Sequence, residues 1–287
     1  MKLMRVGPLG SETPLLGIAR PDGGDDWFEA SSVTATYDRR FFAEDGLARV
    51  AAAHAEGALP AAEVTPGMRI GAPVVDPQAL LCIGMNYAAH AAESGAEPPA
   101  QPVLFFKTPN TIAGPDDTAR IPRRSTTTDW EVELGIVIGQ RCSYLGDRKE
   151  AAAAIAGYVL ADDLSERNFQ MHESGGQWSK GKCAPGFSPL GPWFVSADAL
   201  DPSDLTIRSW VNGEIRQDSN TRDMIFGVDE IVHHLSQYLV LEPGDVILTG
   251  TPEGVALSGR FDYLRAGDVV EVEIAGLGRQ RHEFVDA

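Results

Sequence analysis

Two glutamates two residues apart, Glu131 and Glu133 in the stretch DWEVELGIVIG, are the pair in this chain best suited to do chemistry. In an extended strand alternate side chains point to opposite faces. Glu131 and Glu133 would therefore share a face with Asp129, while Trp130, Val132, Leu134, Ile136 and Ile138 share the other. From Leu134 onward both faces are apolar or glycine, the pattern of a strand running into a buried sheet. A Glu-x-Glu at a wet strand end needs no special function. Buried side by side, the two carboxylates repel unless a cation lies between them, and a hard divalent ion such as Mg²⁺ or Ca²⁺ takes that ligand set.

Other polar groups recur at spacings that suit a site. Asp162 and Asp163 close an apolar run and open a predicted helix. Asp163 followed by Glu166 resembles a capping box, which alone would justify an Asp. The same helix would set Asp163, Arg167 and Gln170 at i, i+4 and i+7, a row able to hold a metal at its head and a substrate carboxylate alongside. His90 and Glu93 lie three apart on a short predicted helix capped by Asn86. They are either a surface pair or an imidazole oriented as a general base. Lys180 and Lys182 fall in a long glycine-rich loop, where a solvated charge is the ordinary outcome.

The elements that must position these groups are mostly strands. Residues 2–7 and 14–19 read as strands around a turn, and residues 46–55 as a helix. A soft boundary falls near residue 70, giving a small N-terminal domain, 1–70, and a main domain, 71–287. Strands follow at 80–84 and 102–107, then a Pro/Gly/Asp-rich loop to Thr128, the central strand, a helix over 147–156 and a strand over 157–161. Asn212-Gly213 supplies a type I′ turn for a hairpin over 207–217. A helix over 228–239 and two closing strands, 268–274 and 280–285, complete the chain. This is an α+β, mostly β pattern rather than alternating βαβ units.

Bulk properties narrow the function. The 287 residues are 43% hydrophobic, enough for a large core, and a net charge of −17 argues against nucleic acid and anionic membranes as partners. Three separated cysteines without a CxxC suggest neither zinc nor disulfides, and a reducing cytoplasm fits. The N-terminus lacks a signal-peptide core, and no apolar run approaches the ~20 residues of a membrane helix. GxGxxG, Walker and GxSxG motifs are missing, which removes support for dinucleotide, nucleotide and serine-hydrolase readings.

Taken in order, IGMNYAAHAAE, PVLFFKTP, WEVELGIVIG, LADDLSERNFQ, QWSKGK, VNGEIRQ and LEPGDVILTGTPEGV resemble the fumarylacetoacetate hydrolase family over about residues 70–287. The resemblance implies a mixed β-sandwich roll, usually in homodimers, with a small N-terminal β-rich domain. It puts Glu131, Glu133 and Asp163 at the positions of carboxylates that bind Mg²⁺, Mn²⁺ or Ca²⁺. His90 and Glu93 match the catalytic dyad of the smaller members, where a lid orders over the ligand, and Lys182 matches the site lysine. Arg167 and Gln170 match substrate contacts, and Thr249 and Thr251 stand in the turn that closes the pocket's far wall. One departure is that no residue maps to the additional upstream metal aspartate of the larger animal-type enzymes; Asp129 is left as support. The loop GGQWSKGK and the opening MKLMRVGP look closer to bacterial members acting on 2,4-diketo-3-deoxy sugar acids than to the isomerase branch.

The implied reaction is hydrolysis of a carbon–carbon bond in a 2,4-diketo acid, giving pyruvate and a second carboxylic acid. His90 with Glu93 would activate water, and Lys182 would stabilise developing negative charge. Decarboxylation of an oxaloacetate-like substrate and keto-enol isomerisation use the same enolate. Outside enzymes, the alternatives are a metal- and ligand-binding protein of the same fold and a β-rich structural protein.

Overall fold

In the computed structural model, which describes residues 1–21, 23–93, 95 and 97–287, the stretch Val132–Ile138 is a strand buried along its whole length. Its two faces feed different cores. Trp130, Val132, Leu134, Ile136 and Ile138 enter one apolar cluster, while Val137 enters another. Antiparallel neighbours flank it. Ile155–Asp162 sets Asp162 opposite Val132 and Ala161 opposite Glu133, and Val246–Leu248 lies on the other edge.

From this centre the sheet extends both ways. One side runs through Ser188–Ser196, Lys2–Val6, Thr13–Ala19 and Asp25–Glu29; the other runs through Leu80–Gly84, parallel to Val246–Leu248, and then Val103–Lys107. Strand Lys2–Val6 pairs antiparallel with Ser188–Ser196, so the first residues continue the central sheet. A five-stranded sheet, made of Glu214–Asn220, Thr206–Val211, Val269–Ile274, Gly278–Asp286 and Ala119–Ile121, sends Ile207, Val272 and Phe284 into the core shared with Leu134. Helices Arg39–Ala43 and Gly46–Ala55 supply Phe41, Phe42 and Val50 to the core on the opposite face. Most strand pairs are antiparallel and a few parallel, so the fold is mostly β in mixed sheets with few helices. The Asn212-Gly213 turn has φ of 53° and 80°, as a type I′ hairpin requires.

The structure departs from the sequence expectation at several points. The helix expected to open at Asp163 begins at Arg167, with Glu166 as its N-cap accepting from the Phe169 amide. Between them the short strand Ser165–Glu166 pairs with Thr128–Asp129, and this pairing claims the backbone that a first helical turn would have used. Asp163 therefore lies outside the helix that carries Arg167 and Gln170. Asn86 does not cap its helix, Ala88–Glu93. Its Nδ2 donates to the carbonyls of Phe226 and Thr249, and its Oδ1 accepts from the Phe226 amide. The helix placed over 147–156 stops at Ala153 because Ile155 already pairs with Ile138. The helix over 228–239 ends at Ser236, and a strand not expected from the sequence, Asp25–Glu29, follows Thr13–Ala19.

One buried group gives the fold a pH dependence. His282, on the closing strand Gly278–Asp286, is fully buried, and burial lowers its imidazole to about 4. Both ring nitrogens face acceptors, Gln280 Oε1 at 3.0 Å and the Asp117 carbonyl at 3.3 Å, so a neutral ring satisfies only one, yet desolvation of the charged form outweighs this. The unfolded chain then binds more protons between pH 6.5 and about 4. Stability from this group is complete above pH 6.5 and is lost as pH falls through that window, by up to about 3 kcal/mol. Urea midpoints measured across the window should fall more steeply for the parent chain than for His282→Gln. Equal slopes would contradict the assignment.

Candidate active site

Glu131 occupies the break between the short strand Thr128–Asp129 and the long strand Val132–Ile138. Its amide donates to Asp162 Oδ1 at 2.9 Å, and its carbonyl accepts from the Asp163 amide at 2.9 Å. Adjacent strand ends are thus cross-linked at the point where the carboxylates converge. One oxygen each of Glu131, Glu133 and Asp163 lies within 4.8 Å of the others, and all three residues are buried.

Cations surround two of these carboxylates and leave the third. Lys182 Nζ bridges Glu131 Oε2 at 2.7 Å and Asp163 Oδ2 at 2.8 Å, and Lys107 Nζ sits 2.5 Å from Asp163 Oδ1. Arg167 Nη2 lies 2.6 Å from Glu131 Oε1, a charge contact without hydrogen-bond alignment. Burial would raise the Glu131 carboxyl, but Arg167 and Lys182 outweigh it and hold it well below the usual range. Among the described residues Glu133 makes no ion pair: its Oε2 accepts from the Gly250 amide at 2.8 Å, and burial, with Asp163 and Glu131 beside it, pushes it well up against the opposing pull of Lys182. Burial also lifts the Asp162 carboxyl to about 7. A buried, cation-free carboxylate in an all-oxygen donor set fits a hard metal ion. These three carboxylates could hold one.

Lys182 reaches this position because helix Ser179–Lys182 packs flat against helix Arg167–Met171. A Cβ on Gly181 would lie 2.4 Å from the Glu166 carbonyl and 2.5 Å from the Gln170 amide, so only glycine allows this approach. Lys182 is therefore buried, contrary to the ordinary outcome for a loop lysine; Lys180 is the exposed one, bonded to the Glu173 carbonyl.

His90 and Glu93 form a pair, with Nδ1 to Oε1 at 3.1 Å. Glu93 is fixed from behind by the Gly254 amide at 3.0 Å and by the Arg260 guanidinium at 2.7 Å. Burial raises the Glu93 carboxyl, but His90, the Gly254 amide and Arg260 together bring it below its usual value. Anchored there, Glu93 holds one ring nitrogen of His90 and leaves Nε2 for the cavity.

Seven of the nine predicted site residues, His90, Glu131, Glu133, Arg167, Gln170, Lys182 and Thr251, line one cavity of about 120 Å³. The other two stand behind this wall, Glu93 against His90 and Asp163 against Lys182. Thr251 has its hydroxyl committed, donating to the Val132 carbonyl at 2.9 Å and accepting from Gln217 Nε2 at 2.8 Å. Arg167 also donates through Nε to Asp129 Oδ2 at 2.8 Å and through Nη1 to Gln170 Oε1 at 2.9 Å. Asp129 accepts the amides of Trp130, Ala256 and Leu257, tying Arg167 to the turn that follows Val255.

Residue reasoning missed Lys107, Gln217 and the anchoring role of Asn86, while Asp129, expected as support, holds Arg167. Lys107 had a readable signal, a lone cation closing the apolar run VLFFK. Gln217 had none: its partners, Val132, Ser209, Thr251 and Pro252, come from three separate parts of the chain.

A carboxylate cluster with a His–Glu pair in one cavity, set on mixed sheets, defines a class of enzyme. Residues 79–285 match the pattern of the fumarylacetoacetate (FAA) hydrolase C-terminal family, and the chain belongs to this family. It is 41% identical to the 2,4-didehydro-3-deoxy-L-rhamnonate hydrolase of Sphingomonas sp., covering 99% of this chain and 95% of that one. Among solved structures it is similar to maleylpyruvate hydrolase from Sphingobium sp. in complex with manganese(II) and pyruvate, with a TM-score of 0.79, 26% identity and 100% of both chains covered. It is also similar to 5-carboxymethyl-2-hydroxymuconate delta-isomerase from Mycobacterium smegmatis, with a TM-score of 0.76, 31% identity and coverage of 100% and 99%.

Proposed function

We propose that this chain is a metal-dependent hydrolase that cleaves a carbon–carbon bond in a 2,4-diketo acid, an acylpyruvate or a 2,4-diketo-3-deoxy sugar acid, to pyruvate and a second carboxylic acid. The observation that carries the reading is the His90–Glu93 pair facing the cavity that Glu131, Glu133 and Lys182 also line. Pure chelation needs the carboxylates alone; an oriented imidazole adds a base. The names of the rhamnonate-derived and maleylpyruvate hydrolases support hydrolysis.

Glu131, Glu133 and Asp163 would hold the ion, with Mg²⁺, Mn²⁺ or Ca²⁺ as the candidates. When bound, it supplies a chelation point for the carboxylate and neighbouring keto oxygen of a 2-keto acid, and positive charge against the negative charge that develops there. His90 Nε2, with the ring held by Glu93, takes a proton from water as the water oxygen bonds to C4. The C3–C4 bond breaks with its electron pair passing to C3, and a proton added at C3 gives pyruvate. Lys182 contributes positive charge from its seat between Glu131 and Asp163. Arg167, with Nε and Nη1 already committed, would meet the substrate carboxylate through Nη2, beside Gln170, and Thr251 shapes the wall. The reading takes a homodimer as the assembly and the cytoplasm as the setting. Residues 71–287 would be the catalytic part and 1–70 a smaller N-terminal unit.

Turnover in ¹⁸O-water tests the reaction. Hydrolysis places the label in the new carboxylate of the acid released with pyruvate. An acid free of label, after correction for carbonyl exchange, rules hydrolysis out and turns attention to isomerisation, the activity named for the Mycobacterium smegmatis neighbour.

A further inference from the structure

Beyond its polar groups, the wall of the candidate cavity is apolar. Ile83 and Met85 at the end of strand Leu80–Gly84, Phe105, Met171, Trp178 and Leu257 complete the lining. Trp178 is fitted closely into this wall. It meets Phe105 edge-on at 5.4 Å, and it lies against Gly84, where a Cβ would come within 2.4 Å of its ring. Glycine at 84 is thus what lets an indole lie flat over the strand end.

The balance of charge points the same way. Among the described residues, Arg167 and Lys182 are the only Arg or Lys side chains lining the cavity, and both are already paired, with Asp129, Glu131 and Asp163. Asp129, Glu131, Glu133 and Asp163 set four carboxylates against the three buried cations Lys107, Arg167 and Lys182. A divalent ion would leave one positive charge over, and one substrate carboxylate uses it. Any charge on Asp162 makes the balance less favourable to a second anion. An unpaired carboxylate against Trp, Phe and Met side chains lacks the counter-charge that burial demands. Size adds a limit: about 120 Å³ is a little under a cavity of roughly 150 Å³ that takes benzene in another protein, so the pyruvate-like half nearly fills the space. Met171, 48% exposed, is the exposed residue of this lining, so a longer tail would run toward it.

We infer that the site selects 2-keto acids with a short, uncharged tail and discriminates against tails ending in a second carboxylate, with Trp178, Met171 and Phe105 setting the preference. This rests on the diketo-acid reading above, and its test separates the two. Calorimetry with Mn²⁺ present compares 2-oxohexanoate with 2-oxoadipate, acids of equal chain length that differ by a terminal carboxylate. 2-Oxohexanoate is expected to bind tighter by on the order of 10-fold or more. Met171→Arg, which places a cation at the rim, is expected to shift that ratio toward 2-oxoadipate by a similar factor. Equal or tighter binding of 2-oxoadipate by the parent chain, or no binding of either acid, overturns the inference. If diketo acids are not cleaved while 2-oxohexanoate is still preferred, the reaction assignment fails and the tail preference stands. If they are cleaved while carboxylated tails are preferred, the reaction assignment stands and the tail preference fails.

Discussion

A Glu133→Gln chain is expected to bind Mn²⁺ more weakly than the parent by on the order of 10²-fold or more, since loss of groups that merely support a ligand costs 10- to 100-fold. The amide keeps the side chain's shape and an acceptor for the Gly250 amide, but it has no charge to offer an ion. A second readout separates lost ligation from a damaged fold. In chelator, Glu133 is a buried carboxylate repelled by Asp163 and Glu131, so its replacement by a neutral amide removes a cost. The metal-free variant should unfold at or above the parent's temperature. Parent-like Mn²⁺ affinity in calorimetry would remove Glu133 from the ligand set, and a marked drop in metal-free stability would show that the carboxylate serves the fold instead.

His90→Ala is expected to lose carbon–carbon cleavage by on the order of 10²-fold or more, the usual range for a positioned general base. The imidazole belongs to helix Ala88–Glu93 and, among the described residues, makes no hydrogen bond to Glu131, Glu133 or Asp163, acting on Glu131 only through its charge, so Mn²⁺ affinity should stay within a few-fold of the parent. Metal-assisted decarboxylation of oxaloacetate needs no activated water and should survive in the same variant if the chain has that activity at all. The Glu93 anchor predicts a graded series. Arg260→Gln removes one exposed contact and leaves the Gly254 amide in place, so its effect should be much smaller than that of His90→Ala. Retained cleavage in His90→Ala would move the base elsewhere.

The central strand was legible because its signal is local: alternation put Trp130, Val132, Leu134 and Ile136 on one face, and the same face holds them in one core. The Asn212-Gly213 hairpin and the helix Gly46–Ala55 were readable for the same reason. Asp163 shows the limit. A carboxylate four residues before an Arg suggests a helical row, yet pairing of Ser165–Glu166 with Thr128–Asp129 sets the local backbone, and those strands are more than thirty residues apart in sequence. The burial of Lys182 was not legible from spacing, because it depends on a helix-to-helix approach that Gly181 permits but does not announce; only the family resemblance singled this lysine out. Lys107, Gln217 and Asn86 act through partners scattered along the chain, which one sequence does not pair. The resemblance to the family gathered these segments into one site where spacing could not.

The bridging position of Lys182, with Lys107 on the far side of Asp163, bears on the order in which the protein is assembled. In small zinc domains the metal's binding energy is the folding energy, and the ligands scatter without it. Here two ammonium groups of the chain itself pair with Glu131 and Asp163, leaving Glu133 as the one member of this trio without an ion pair among the described residues. Such a chain would need no ion to reach its native shape, and an ion held by these carboxylates would enter a site already formed. Metal supply would then govern how many molecules are active while leaving the number that survive proteolysis unchanged, so scarcity and repletion act on a standing pool.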